Sequence, residues 1–214
     1  MRLDLNCYEN SIVCGDALEL IKFIPDGMID LIFTDPPYGL CKEMRNDHDL
    51  TTFYNILLDC HRVLKKDSYF ITFFSTKFLP QLFINNPFKY FWQFILYCPE
   101  GSVQSPIGFS KYMSCFVFKK GNPKISKRNK DIFKDTPGRM IEPDEGYIDH
   151  PTPKPKVFIQ EILSMFSKED DLILDPFIGS GSIALACKKL NRRFIGFEIE
   201  EKYCDMAKRR LKII

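Results

Sequence analysis

What this chain does not contain removes several classes of protein at once. No apolar run approaches the ~20 residues needed to span a bilayer. Met1-Arg2-Leu3-Asp4 lacks the apolar core of a secretory leader. A soluble, cytoplasmic protein with no membrane partner is the expectation. Charge of one sign is not in excess: 30 Lys and Arg stand against 28 Asp and Glu, a net +2. The average composition therefore announces no nucleic-acid binder, and any basic surface must be local. Histidines are few (His48, His61, His150), and the eight cysteines are scattered without a C-x-x-C pair. No ligand spacing supports a zinc site, no metal is expected, and the cysteines read as buried, reduced thiols.

What is present suits one core. At 214 residues and 45% hydrophobic, the chain reads as a single domain. Its parts are residues 1–120, a short basic insertion at 121–149, and residues 150–214. Ser11-Ile12-Val13-Cys14 is a buried strand stopped by Gly15-Asp16, and Ala17, Leu18, Leu20, Ile21 and Ile24 follow at helical spacing. Pro25-Asp26-Gly27 turns the chain into a second strand, a unit that makes parallel sheets. Phe53, Ile56, Leu57, Cys60, Val63 and Leu64 form a helical stripe with His61 on its other side, a surface group before a catalyst. Residues 69–74 read as a strand, 78–84 as a helix, and 91–97 with 115–118 as an antiparallel pair at one sheet edge. The pattern is α/β, a mixed and mainly parallel sheet with helices on both faces.

The second strand ends in Asp35-Pro36-Pro37-Tyr38. Proline has no N–H for the ladder and holds the residue before it extended, so the chain must leave the sheet there. Two prolines in succession present the Asp35 carboxylate, the Pro37 carbonyl and the Tyr38 ring with little backbone freedom left to lose. Such a site suits a flat aromatic amine: two oxygens accept its N–H groups and a ring stacks on the heterocycle.

Near the other end, strand 172–175 meets the turn Pro176-Phe177-Ile178-Gly179-Ser180-Gly181-Ser182 and then a helix over 183–190. This is the glycine-rich turn of nucleotide-binding folds, and Glu198, closing the next strand, is spaced to accept hydrogen bonds from ribose hydroxyls. No Gly-Lys-Ser/Thr follows the glycines, which disfavours nucleoside triphosphate hydrolysis. NAD or a cofactor without pyrophosphate would fit equally well.

Taken together, Asp35-Pro36-Pro37-Tyr38, His150-Pro151-Thr152-Pro153-Lys154-Pro155, residues 175–182 and Arg193-Phe194-Ile195-Gly196-Phe197-Glu198-Ile199 resemble the β-class DNA amino-methyltransferases, in that family's motif order. The likeness covers roughly the first 75 and the last 65 residues. It implies a Rossmann-like methyltransferase fold, S-adenosylmethionine as cofactor and DNA as partner. It also implies catalysis by Asp35, Pro36, Pro37 and Tyr38. Cofactor contacts would come from Asp16 (to the adenine amine), Asp35, Lys154 (near the methionine end), Asp175, Phe177, Gly179, Ser180, Gly181, Ser182 and Glu198. Asp before the two prolines is the family's usual form for adenine N6. Cytosine N4 is the alternative, and a catalytically silent cofactor-binding module is the reading from another class. So short an insertion implies a possible homodimer.

Residues 119–139 carry eight Lys and Arg against two Asp. They are either a solvated linker or a surface for DNA phosphates, with Lys124, Lys127, Arg128 and Lys130 as the contacts. Because the segment joins the catalytic and cofactor parts, it is expected to emerge beside the cleft that admits the base.

Overall fold

The computed structural model describes residues 9–37, 50–84, 86–99, 103–105, 107–134, 141–142, 146–147 and 154–213. Its strands are β1 (Ser11–Cys14), β2 (Ile29–Thr34), β3 (Leu64–Phe74), β4 (Lys89–Tyr97), β5 (Val103–Ser105), β6 (Gly108–Ser110), β7 (Tyr112–Lys120), β8 (Ile132–Lys134), β9 (Ile141–Glu142), β10 (Gly146–Tyr147), β11 (Leu172–Asp175) and β12 (Arg193–Glu198). Its helices are α1 (Ala17–Leu20), α2 (Thr51–Val63), α3 (Leu79–Leu82), α4 (Lys156–Phe166), α5 (Ser182–Lys189) and α6 (Glu201–Leu211). None of the described helices is long and apolar enough to cross a membrane.

Eight strands form one sheet in the order β1-β12-β11-β2-β3-β7-β4-β8. From β1 to β3 each neighbouring pair is parallel; β7 runs against both β3 and β4; β8 lies parallel to β4. The short antiparallel ribbons β5–β6 and β9–β10 are hydrogen-bonded as separate pairs. β2 shows why the central strands read as continuous apolar runs: Leu31 and Phe33 face one side and Ile32 the other, and all three are fully buried. The Leu31 side packs with α4, α5 and α6 through Phe158, Ile162, Ala184, Cys187 and Ala207. The Ile32 side packs with α1 and α2 through Ala17, Phe53, Ile56 and Cys60. Sheet and helices thus make the Rossmann-like layers expected, with helices on both faces.

Three expectations need correcting. The antiparallel pair β7–β4 forms, but it is not the edge: β8, from the insertion read as irregular, adds beyond β4. The expected helix at 78–84 is a short 3-10 turn followed by the single turn α3, with Pro80 in its first turn. Leu64 opens β3 instead of closing α2. The thiols at Cys60, Cys98, Cys115, Cys187 and Cys204 are buried and reduced, whereas Cys14 is exposed; Cys7 and Cys41 lie outside the described residues.

Candidate active site

Parallel strands deliver their carboxyl ends to one edge, and the sequence-selected residues gather there. Gly15 follows β1 and donates its N–H to the carbonyl of Glu198 at 2.8 Å, joining the ends of β1 and β12. Asp16 caps α1, its carboxylate accepting from the Leu18 N–H at 2.9 Å. Between these ends and the turn after β2 lies a cleft lined by Gly15, Asp16, Ala17, Pro37, Thr52, Pro176, Phe177, Glu198 and Ile199. Of the expected site residues, Asp16, Pro37, Phe177 and Glu198 form its wall. Tyr38 lies outside the described residues.

Asp35, two residues before the cleft-lining Pro37, is ion-paired with Lys154, which comes from the segment leading into α4. The Lys154 side chain is 10% exposed, and its ammonium lies 5.5 Å from the centre of the Phe73 ring. This cation–π contact and the ion pair hold the lysine from two directions. Pro36, between Asp35 and the cleft-lining Pro37, is buried, so the turn is anchored by packing as well as by its fixed φ.

On the cofactor side the roles divide. Glu198 accepts from the Gly179 N–H through Oε2 and from the Glu200 N–H through Oε1, both at 2.9 Å. The Ile199 N–H also bonds this carboxylate, and acceptor capacity remains on it for hydroxyl donors. Burial pushes the Glu198 carboxyl upward, and the backbone N–H groups work against that shift. Asp175 lies behind the wall instead of on it. It is 3% exposed, and its Oδ1 accepts from Thr34 Oγ1 at 2.8 Å and from the Phe177 N–H at 3.1 Å. Desolvation raises this carboxyl to about 7, against the two hydrogen bonds and helped by the charges of Asp35 and Glu198. It therefore shapes the loop from beneath.

Gly179 and Gly181 have φ of +50° and +83°, and a Cβ on Gly181 would stand 3.1 Å from that of Ala207. Left-handed geometry and the close approach of α6 both require glycine there. The Ser180 carbonyl accepts from Arg210 of α6, while Ser182 Oγ is one of two buried side-chain polar atoms among the described residues left without a partner. An orphaned buried hydroxyl at the end of the glycine turn is a polar group that a ligand could satisfy.

The basic segment goes elsewhere. β7 runs against β3, so its end, Lys120 opposite Ser68, is at the amino edge of the sheet. The Ser126 N–H then bonds the Met165 carbonyl at the far end of α4. Lys124 and Lys127 therefore lie at the edge opposite the cleft, and Arg128 and Lys130 on the flank as the chain climbs back to β8. The expectation that these four emerge beside the cleft is corrected by strand direction. His61 is also remote, packed 5.1 Å from the Phe88 ring at the end of α2, with its imidazole pulled down by burial and by Lys120. Residues missed in the sequence are Thr34, Thr52 and Phe73. Only Thr34, directly before the diproline motif, offered a local signal.

A Rossmann-like sheet with a ribose-competent acid after one strand and a rigid carboxylate turn after another defines a group-transfer enzyme using a nucleoside cofactor. The chain belongs to the N6/N4 DNA methylase family, whose model it matches over residues 29–209. It is 28% identical to the type II methyltransferase M.HpaI of Haemophilus parainfluenzae, over 95% of this chain and 74% of that protein. It is 29% identical to the DNA adenine methyltransferase YhdJ of Escherichia coli (strain K12), over 95% of this chain and 83% of that protein. Among solved structures, the M1.HpyAVI–SAM complex superposes with a TM-score of 0.75 at 24% identity, covering 95% of this chain and 99% of that one. The cytosine-N4-specific PvuII DNA methyltransferase does so with a TM-score of 0.78 at 20% identity, covering 94% and 85%.

Proposed function

We propose that this protein transfers a methyl group from S-adenosylmethionine to the exocyclic N6 of adenine in DNA. The observation that carries the reading is the shared edge: Pro37, two residues after Asp35, and Glu198 line one cleft, which supports an amine held by the first turn meeting a cofactor held by the second strand end.

When bound, S-adenosylmethionine supplies an electrophilic methyl group on a sulfonium centre. Glu198 accepts the ribose hydroxyls with the lone pairs left by Gly179 and Glu200. Asp16 lines the same cleft and receives the cofactor's adenine amine. Phe177 offers an apolar wall, and the glycine turn that follows it, with the unpartnered Ser182 Oγ at its end, is assigned to the methionine part.

The target base must leave the duplex, because its amine is otherwise paired and its nitrogen lone pair is delocalised into the ring. Asp35 and the Pro37 carbonyl accept the two amine hydrogens and draw the nitrogen toward tetrahedral geometry, which frees the lone pair for attack on the methyl carbon. Tyr38 stacks on the base. Positive charge grows on the amine as the C–N bond forms, and the fixed carboxylate and carbonyl stabilise it without reorganising. Lys154 holds the carboxylate in place before the base arrives.

The same reading makes the chain one cytoplasmic methyltransferase domain over residues 1–214, with a homodimer as the form that spans a recognition site; the first part of the 121–149 insertion lies too far from the cleft to read the target. Whole-genome detection of modified bases in a methylation-free host expressing the protein tests it. N6-methyladenine in one sequence context is expected; N4-methylcytosine would move the target to cytosine, and no new mark would leave the silent module.

A further inference from the structure

Beyond the sheet, the ribbon that joins β4 to β7 carries two largely exposed apolar side chains. Ile107 is 98% exposed and Phe109 73%, both at the tip of the β5–β6 hairpin. The hairpin prolongs the sheet: Tyr97 pairs with Tyr112, the Cys98 N–H bonds the Lys111 carbonyl at 2.7 Å, and β6 is separated from β7 by Lys111 alone. Since β7 starts at the carboxyl edge, the hairpin rises from the same edge as the cleft.

Simple dimensions place it. β7 is two strands from β2, a lateral separation of about 10 Å, and the steps from Tyr112 to Ile107 reach at most about 17 Å beyond the sheet. A duplex offering a base to Asp35 would lie against this ribbon. The base of the hairpin is basic: exposed Lys77 follows β3, exposed Lys111 is in the ribbon, and exposed Lys134 ends β8 opposite Tyr97. Tyr97 and Tyr112, 44% and 42% exposed, stand between them. Apolar side chains at the tip with lysines around the foot match a surface whose charged backbone flanks stacked bases.

We propose that Ile107 and Phe109 enter the duplex beside the target base and occupy the gap it leaves. This rests on the reading of the protein as a DNA methyltransferase. Extrusion of a base loses stacking on both sides, and an apolar wedge in the vacated step offsets that loss. The turn geometry suits insertion, since Gly108 has φ of +122° and a Cβ added there would meet nothing. Lys111, between β6 and β7, is exposed beside the ribbon, its ammonium donating to the Pro99 carbonyl at 3.3 Å.

The test uses two duplexes carrying the target sequence found by genome mapping, one fully paired and one with an abasic site opposite the target base, which leaves that base already unpaired. Ile107→Ser combined with Phe109→Ser should lower kcat/KM on the paired duplex by about tenfold or more, the scale of a lost wedge. On the abasic duplex it should stay within about threefold of wild type, as exposed substitutions leave the fold intact. Phe109→Leu, which keeps an apolar tip, should recover most of the loss. Leu58→Ser, removing a side chain 71% exposed on α2, is the control and should follow wild type on both. Equal loss on both duplexes, or no loss on either, overturns the wedge. Equal loss with a change in sedimentation would assign the tip to a second copy of the chain. Wild-type protein that methylates neither duplex overturns the DNA reading, and the wedge with it.

Discussion

Thr34 and Asp175 are 141 positions apart and meet in the core, Thr34 Oγ1 donating to Asp175 Oδ1 at 2.8 Å. Thr34 is the residue before Asp35, and Asp175 also holds the N–H of Phe177 on the cofactor wall. One buried hydrogen bond therefore ties the turn that positions the amine to the turn that positions the cofactor. Thr34→Val preserves shape and removes the donor. It should lower stability by about 1–3 kcal/mol, the cost of leaving a buried acceptor short of a partner. It should also reduce kcat more than it weakens cofactor binding, because the two turns lose their common reference. Thermal unfolding and isothermal calorimetry read the two effects; unchanged stability and turnover would remove this bond from the account.

The same carboxyl makes stability depend on pH. Asp175 is raised to about 7 in the fold, so between the ordinary carboxylate range and neutrality the folded state binds a proton that the unfolded chain releases. Stability from this group is complete at low pH and declines as pH rises toward about 7. Glu198, also shifted upward, acts in the same direction. Asp175→Asn keeps an oxygen for Thr34 and Phe177 but cannot ionise. Denaturant unfolding from pH 4 to 8 should show a decline in wild type that is shallower in this variant; parallel curves would mean the carboxyl does not titrate there.

Asp35 and Glu198 are expected to separate chemistry from binding. Asp35→Ala should abolish transfer while cofactor affinity stays within about tenfold, a window of ~1.4 kcal/mol. Glu198→Ala should weaken the cofactor by about 1–3 kcal/mol, since the ribose acceptors vanish and the Gly179 and Glu200 N–H groups lose their anchor. Calorimetry with S-adenosylmethionine and single-turnover methylation distinguish them, and wild-type turnover by the Asp35 variant would refute the mechanism.

The residues at the cleft were legible because each stands where a strand must stop. Gly15-Asp16, the prolines after Asp35 and the turn after Asp175 all interrupt apolar runs, and parallel strands collect such interruptions at one edge. Thr34 with Asp175 was not legible, since no local pattern links positions so far apart. β8 was hidden by its length: Ile132-Phe133-Lys134 has one buried residue, Phe133, and becomes a strand only because β4 presents a free edge. The antiparallel turn of β7 decided the rest. Reversing one strand sends the chain after Lys120 to the amino edge, which no charge count in residues 119–139 reveals.

That reversal leads to a choice between two sets of lysines. Phosphate contacts release condensed counterions, and each should add about 0.9 to the slope of log K against log salt. Lys124, Lys127, Arg128 and Lys130 lie at the amino edge and its flank, with Lys130 stacked on Phe133 at 5.3 Å, so a duplex engaged at the cleft is out of their reach. Lys77, Lys111 and Lys134 are exposed at the carboxyl edge and surround the hairpin. Replacing these three by Ala should flatten the slope by up to about 2.7, whereas the four-residue Ala variant should leave it within about one contact's worth of wild type. Both should weaken or spare all sequences alike, since phosphate contacts position a protein and do not read bases. Fluorescence anisotropy with a labelled duplex at several salt concentrations measures the slopes. A flattened slope in the four-residue variant alone would place the DNA along the α4 flank, reached from residues 121–149, and would require the base to enter from that side.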